Sequence, residues 1–141
     1  MKMIKFMEGI IMELYLKENG LRTSLEYGEL EISGDETYGF RPYQLMIASI
    51  AGCSGSVFRK ILAKQRIEVE DIQITAEATR NPDEANRIEK ITLHFIIKGH
   101  HLDPEKMYKN LAIARKNCSM VRSVENSIEI EETVKTIELS R

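Results

Sequence analysis

The chain has 141 residues, 43% of them apolar and 30% charged, and its 20 Lys plus Arg against 22 Asp plus Glu give a formal charge of -2. That balance belongs to a globular chain, not a disordered or fibrous one, and the length predicts a single domain over 1–141 that folds without staples. With no block of one sign, nothing draws the chain to DNA, RNA or anionic lipid, which argues against nucleic-acid and membrane partners. The longest uncharged stretch, Pro42 to Phe58, has 17 residues. It falls short of the roughly 20 apolar residues that a bilayer requires and reads as a buried helix. Glu8 and Glu13 interrupt the apolar run that a secretory leader needs, so a cytoplasmic location is expected.

In chain order, Met12, Leu14 and Leu16 alternate with Glu13, Tyr15 and Lys17, predicting a strand. Glu18-Asn19-Gly20 offers a tight turn, and a second strand carrying Leu30 and Ile32 follows Gly28. Residues 33–39 read as a loop, and Pro42 opens the longest helix, reaching about Gln65. Ile72, Ile74, Ala76 and Ala78 then alternate with polar residues up to the break at Asn81-Pro82-Asp83. Ile91, Leu93, Phe95 and Ile97 supply the partner of a hairpin. Asp103-Pro104 caps a helix with the stripe Met107, Leu111 and Ala114, and Asn117 introduces a short helix from Cys118 to about Glu125. Ile128, Ile130 and Val134 mark a closing strand. The order predicts an α+β fold, antiparallel sheets around a long central helix.

In the long helix Met46, Ile50, Cys53, Val57 and Ile61 follow helical spacing, which puts Cys53 on the apolar stripe. Ala48, Ser49, Ala51, Gly52 and Gly55 leave small residues on several faces, so other elements, or a second copy of the helix, are expected to cover it. In a reducing compartment two cysteines predict no structural disulfide; they are either inert buried thiols or a redox pair. Cys118 reads as a first-turn residue, where helix N–H groups favour a thiolate, and Arg122 lies four residues on with a positive charge for the same face. The adjacent His100 and His101 have no metal-ligand spacing, His94 faces away from the core, and no metal or cofactor motif is present.

The segment from Pro42 to Cys53 is similar to P-x-x-L-x-x-A-x-x-A-x-C of the OsmC/Ohr family, and Cys118 through Val124 resembles that family's second cysteine motif, C-P-V-S-x-x-L. The resemblance spans essentially the whole chain. It implies an OsmC-like fold in an intertwined homodimer and thiol-dependent reduction of organic hydroperoxides, with Cys53 as the peroxidatic residue and Cys118 as the resolving one. A cellular dithiol then recycles the enzyme, with no cofactor. Tyr43, Met46, Ile50 and Met120 are expected to line the substrate pocket. The family's peroxidases carry a glutamate after the motif proline that orients an activating arginine; here Tyr43 stands at that position, with Arg22 and Arg41 as candidate arginines, and Ser119 replaces the proline after the second cysteine. The alternative is a non-catalytic OsmC-like module that binds a small apolar ligand or senses oxidants through the two thiols.

Overall fold

The alternation of apolar and polar residues at the start of the chain produces several short strands instead of one long hairpin. The computed structural model describes residues 4–6 and 9–140 and divides after Met46 into two compact units. In the first, β1 (Ile4–Phe6) pairs antiparallel with β2 (Gly9–Ile11), and β3 (Tyr15–Lys17), β4 (Gly20–Ser24) and β5 (Glu29–Ile32) form an antiparallel sheet in that order. The strand expected from Met12 begins only at Tyr15, and β4, which its sequence did not announce, occupies the middle of the sheet. Gly20 is required there: a Cβ would stand 2.3 Å from the Ile32 carbonyl oxygen. Thr23 is buried in β4 and donates its hydroxyl to the Glu13 carbonyl at 2.8 Å. The 33–39 loop folds back on β5 through Ser33 N–H to Phe40 O (3.1 Å) and Phe40 N–H to Glu31 O (2.9 Å).

Helix α1 (Pro42–Lys64) leads from the first unit into the second. There β6 (Val69–Asn81), β7 (Arg87–Gly99) and β8 (Glu129–Glu138) form a sheet in sequence order, with α2 (Pro104–Asn117) and α3 (Ser119–Val124) between β7 and β8. The β6–β7 hairpin is antiparallel and turns through a short 3-10 segment, Pro82–Glu84, where the expected break falls. One expectation needs correction. The sheet is not wholly antiparallel, because β8 runs parallel to β7. The two helices form a crossover that returns the chain to the same end of the sheet, the connection a parallel pair demands.

One face of this sheet makes the core. Ile91, Leu93, Phe95 and Ile97 of β7 are buried, in register with Ile130, Glu132 and Val134 of β8. Against them α1 packs Ile50, Ser54, Phe58 and Leu62, and Phe58 meets Phe95 edge to face at 5.3 Å between centroids. Burying each of these rings stabilises the fold by about 1.5–3 kcal/mol, and their edge geometry adds about 0.5–1.5 kcal/mol. At the far end of α1 the amides of Gln65 and Asn110 exchange two hydrogen bonds of 2.8 Å, tying it to α2. By length and composition α1 passes for a membrane span, but its buried stripe is taken up by this sheet.

Candidate functional site

The buried stripe of α1 is turned from the one its sequence suggested: Ser54 and Phe58, not Cys53 and Val57, lie at its centre. A helix face is set by which residues meet the sheet, and the 58–95 ring pair fixes that rotation. Cys53 is thereby moved to the flank of the helix, where it stays half-buried. Asn117 does not cap α3; it ends α2 and donates its amide to the Ile113 carbonyl at 2.9 Å. Cys118 is the single residue between the two helices, extended at φ -88° and ψ 109°, and it has no exposed surface.

This junction brings the two thiols together. The Cys118 side chain hydrogen-bonds the Cys53 sulfur, the N–H groups of Met120 and Ser119 also reach that sulfur, and the Ser119 hydroxyl lies 3.7 Å from it. Burial pushes the Cys53 thiol up, but the hydrogen bonds from Met120, Cys118 and Ser119 together hold it below the usual thiol range. Cys118 moves the other way. Burial pushes its thiol up, and although the Val121 N–H favours the thiolate, the hydrogen bond and the charge of Cys53 add to the rise. The N–H groups at the start of α3 therefore favour both thiolates, Met120 and Ser119 that of Cys53 and Val121 and Met120 that of Cys118, but at Cys118 burial and the neighbouring Cys53 outweigh them.

A buried carboxyl accompanies the pair. The Glu132 side chain is 4% exposed and accepts a hydrogen bond from Ser54, the residue after Cys53, at 2.7 Å. Arg115 Nη1 lies 3.9 Å from its other oxygen, which has no hydrogen-bond partner. Burial raises the Glu132 carboxyl, and Ser54 and Arg115 only partly oppose that. The period-two alternation of Ile128, Ile130 and Val134 contained the signal for this inward glutamate.

The other candidate residues are placed as follows. Ile50 is fully buried on the stripe, whereas Met120 and Met46 are exposed. Arg122 pairs with Glu125 at 2.7 Å and donates to the Lys116 carbonyl. In the first unit, Arg22 donates its Nε to Glu31 at 2.6 Å and lies 3.7 Å from Glu29. Arg41 stacks 4.8 Å over the Tyr43 ring and approaches Glu36 at 3.6 Å, and its Nε is buried without a hydrogen-bond partner. His94 contacts Thr133 and Glu77, and His100 is largely buried, bonding the Leu139 carbonyl at 3.0 Å. Among the described residues no three His, Cys, Asp or Glu side chains are grouped to hold a metal ion.

The sequence model described as OsmC-like protein matches residues 33–133, a span that contains both thiols and Glu132. The chain belongs to the OsmC-like family. It is 26% identical over 106 residues to Protein YhfA of Escherichia coli K12, covering 74% of this chain and 78% of that protein. A hypothetical protein from Aquifex aeolicus VF5 superposes with a TM-score of 0.84 at 24% identity, over 95% of this chain and 100% of its own. An organic hydroperoxide resistance protein OsmC from Legionella pneumophila gives 0.70 at 21% identity, over 93% and 99%. The likeness to both structures is one of fold.

Proposed function

We propose that the protein is a cytoplasmic, thiol-dependent reductase of organic hydroperoxides, with Cys53 as peroxidatic and Cys118 as resolving residue. The observation that carries this reading is the adjacent thiol pair, in which the thiol of the more open Cys53 is held below the usual range and burial raises that of Cys118. The Cys53 thiolate attacks the terminal oxygen of the hydroperoxide; the S–O bond forms, the O–O bond breaks, and the alkoxide leaves as the alcohol with one proton from solvent. Cys118 then attacks the Cys53 sulfenic sulfur, and the hydroxyl leaves as water with the Cys118 thiol proton. A cellular dithiol reduces the disulfide and is itself oxidised. The name of the Legionella pneumophila structure supports the substrate class.

A second copy of the chain belongs to this reading. Ala48, Ser49, Gly52, Ser56 and Ala63 leave one side of α1 exposed. That side opens on a groove of about 550 Å³ lined also by Ile67, Val69 and Ile72. Leu16, Leu21, Tyr27 and Phe40 are exposed as well, Leu16 to 86%. Small residues permit close approach of a second helix, and so many exposed apolar side chains call for cover. The test is catalytic consumption of cumene hydroperoxide with a dithiol present, lost in Cys53→Ser. If the wild type reacts no faster than free cysteine, the reading fails and a non-catalytic ligand-binding module accounts better for the chain.

A further inference from the structure

The hydroxyl of Ser119 stands 3.7 Å from the Cys53 sulfur and belongs to an exposed residue, while the other thiol in contact with that sulfur is wholly buried. Its backbone is held in place, because Ser123 donates its hydroxyl to the Ser119 carbonyl at 2.7 Å. The Ser119 side chain thus joins an exposed residue to the half-buried Cys53 sulfur. No charged side chain of the second unit shares a hydrogen bond with the Cys53 sulfur; its partners are the Met120 and Ser119 N–H groups, the Cys118 thiol and this hydroxyl. We propose that Ser119 is a catalytic residue whose hydroxyl donates first to the Cys53 thiolate and then to the oxygen that the sulfur acquires, holding the sulfenic acid until Cys118 displaces it. With the hydroxyl 3.7 Å from the sulfur, an oxygen bonded to that sulfur would lie within reach of the same donor after a rotation of χ1.

The second half of this role rests on the peroxidase reading; the first, the contact with the thiolate, does not. The step needs no reagent beyond the hydroperoxide and the dithiol, since Ser119 donates a hydrogen bond and transfers no atom. At 3.7 Å and on a half-open sulfur the hydrogen bond is a long one, so its loss is expected to have a five- to tenfold effect in rate, about 1–1.4 kcal/mol.

The test compares wild type, Ser119→Ala and Ser119→Thr, each checked for an unchanged melting curve. Alkylation of Cys53 by iodoacetamide at neutral pH, located by mass spectrometry, is expected to slow roughly five- to tenfold in Ser119→Ala and to recover in Ser119→Thr. An excess of cumene hydroperoxide is then expected to leave more sulfinic acid and less disulfide in Ser119→Ala than in the other two. Equal alkylation in all three overturns the proposal. An alkylation difference with no change in the sulfinic to disulfide ratio overturns the sulfenic-acid half. If instead no form reacts with the hydroperoxide faster than free cysteine, the peroxidase reading falls, and a persisting alkylation difference shows that the thiolate contact stands without it.

Discussion

Ser54→Ala deletes the donor that faces the buried Glu132 carboxyl at 2.7 Å and leaves both of its oxygens without a hydrogen bond. A buried acceptor so stripped costs about 1–3 kcal/mol. With the side chain 4% exposed, little water replaces the lost hydroxyl, so about 2 kcal/mol is expected, or a fall in Tm of roughly 6 °C for a chain of this size. Adding Glu132→Leu should restore most of the loss, because an apolar residue in this layer removes the carboxyl that was expensive to bury. Arg115 tolerates that change, since its Nη1 also donates to the Ile130 carbonyl at 2.6 Å. The pH dependence has a definite sign. Burial raises the folded-state pKa of Glu132, so the folded protein keeps a proton that the unfolded chain has released, and stability attributable to this group falls as pH rises through the folded value. Below the unfolded value the loss vanishes. Urea unfolding at fixed protein concentration, at about pH 5 and about pH 8, should therefore show the gain from Glu132→Leu to be larger at the higher pH. A Glu132→Leu variant that is less stable than wild type, and more so at the higher pH, would refute the reasoning and show that the ionised carboxylate is favourably held by Arg115.

Ala85 follows the 3-10 turn at φ 57°, a left-handed conformation that costs an L-residue about 1–2 kcal/mol; Ala85→Gly should raise the unfolding free energy measured by urea titration by up to about 1 kcal/mol after the glycine's greater unfolded freedom is counted. Cys118→Ser under excess cumene hydroperoxide should carry Cys53 to sulfinic and sulfonic acids by mass spectrometry, where the wild type stops at a disulfide. Gly52→Arg, at a position where a Cβ meets nothing within 4 Å, should leave the chain folded but shift light scattering from dimer to monomer; a dimer retained would move the second copy elsewhere. Cys53→Ser removes a charge that raises the Cys118 thiol, so Cys118 should titrate lower than in wild type by its thiolate absorbance, yet stay above a free thiol because burial persists.

Long alternating or helical patterns were legible in the sequence. β6, β7, α1 and α2 lie where their periodicities put them, and the Asp103-Pro104 cap is realised with the Asp103 side chain accepting from Glu105 and Lys106 N–H. What escaped depends on tertiary packing. Strand β4 has only Leu21 and Thr23 in mixed order, and its pairing with β3 and β5 defines it more than its own pattern does. The rotation of α1 could not be read because small residues flank both possible stripes; the Phe58 to Phe95 contact decides it. The parallel direction of β8 required knowing that α2 and α3 cross over the sheet. The proximity of the cysteines was implied only by family resemblance, since no spacing rule relates positions more than 60 residues apart. Ser119 was legible only as the replacement of the motif proline, and Glu132 went unnoticed as a polar residue in an apparently ordinary place.

In the proposed cycle the two sulfurs would divide their work through electrostatics that oxidation itself changes. In the reduced state part of the rise in the Cys118 thiol comes from the charge of Cys53 beside it. That charge opposes loss of the Cys118 proton, and the Cys118 thiol in turn lowers that of Cys53. Conversion of Cys53 to a neutral sulfenic acid removes the charge, so the coulombic opposition to a Cys118 thiolate ends when a nucleophile is needed. In that cycle the existing contact would become the line of attack, and the departing hydroxyl would take the proton. In this arrangement no separate base has to enter the core, and a carboxylate beside the pair would raise both thiols. The nearest buried carboxyl is kept one residue along the helix, on Ser54, with burial favouring its neutral form.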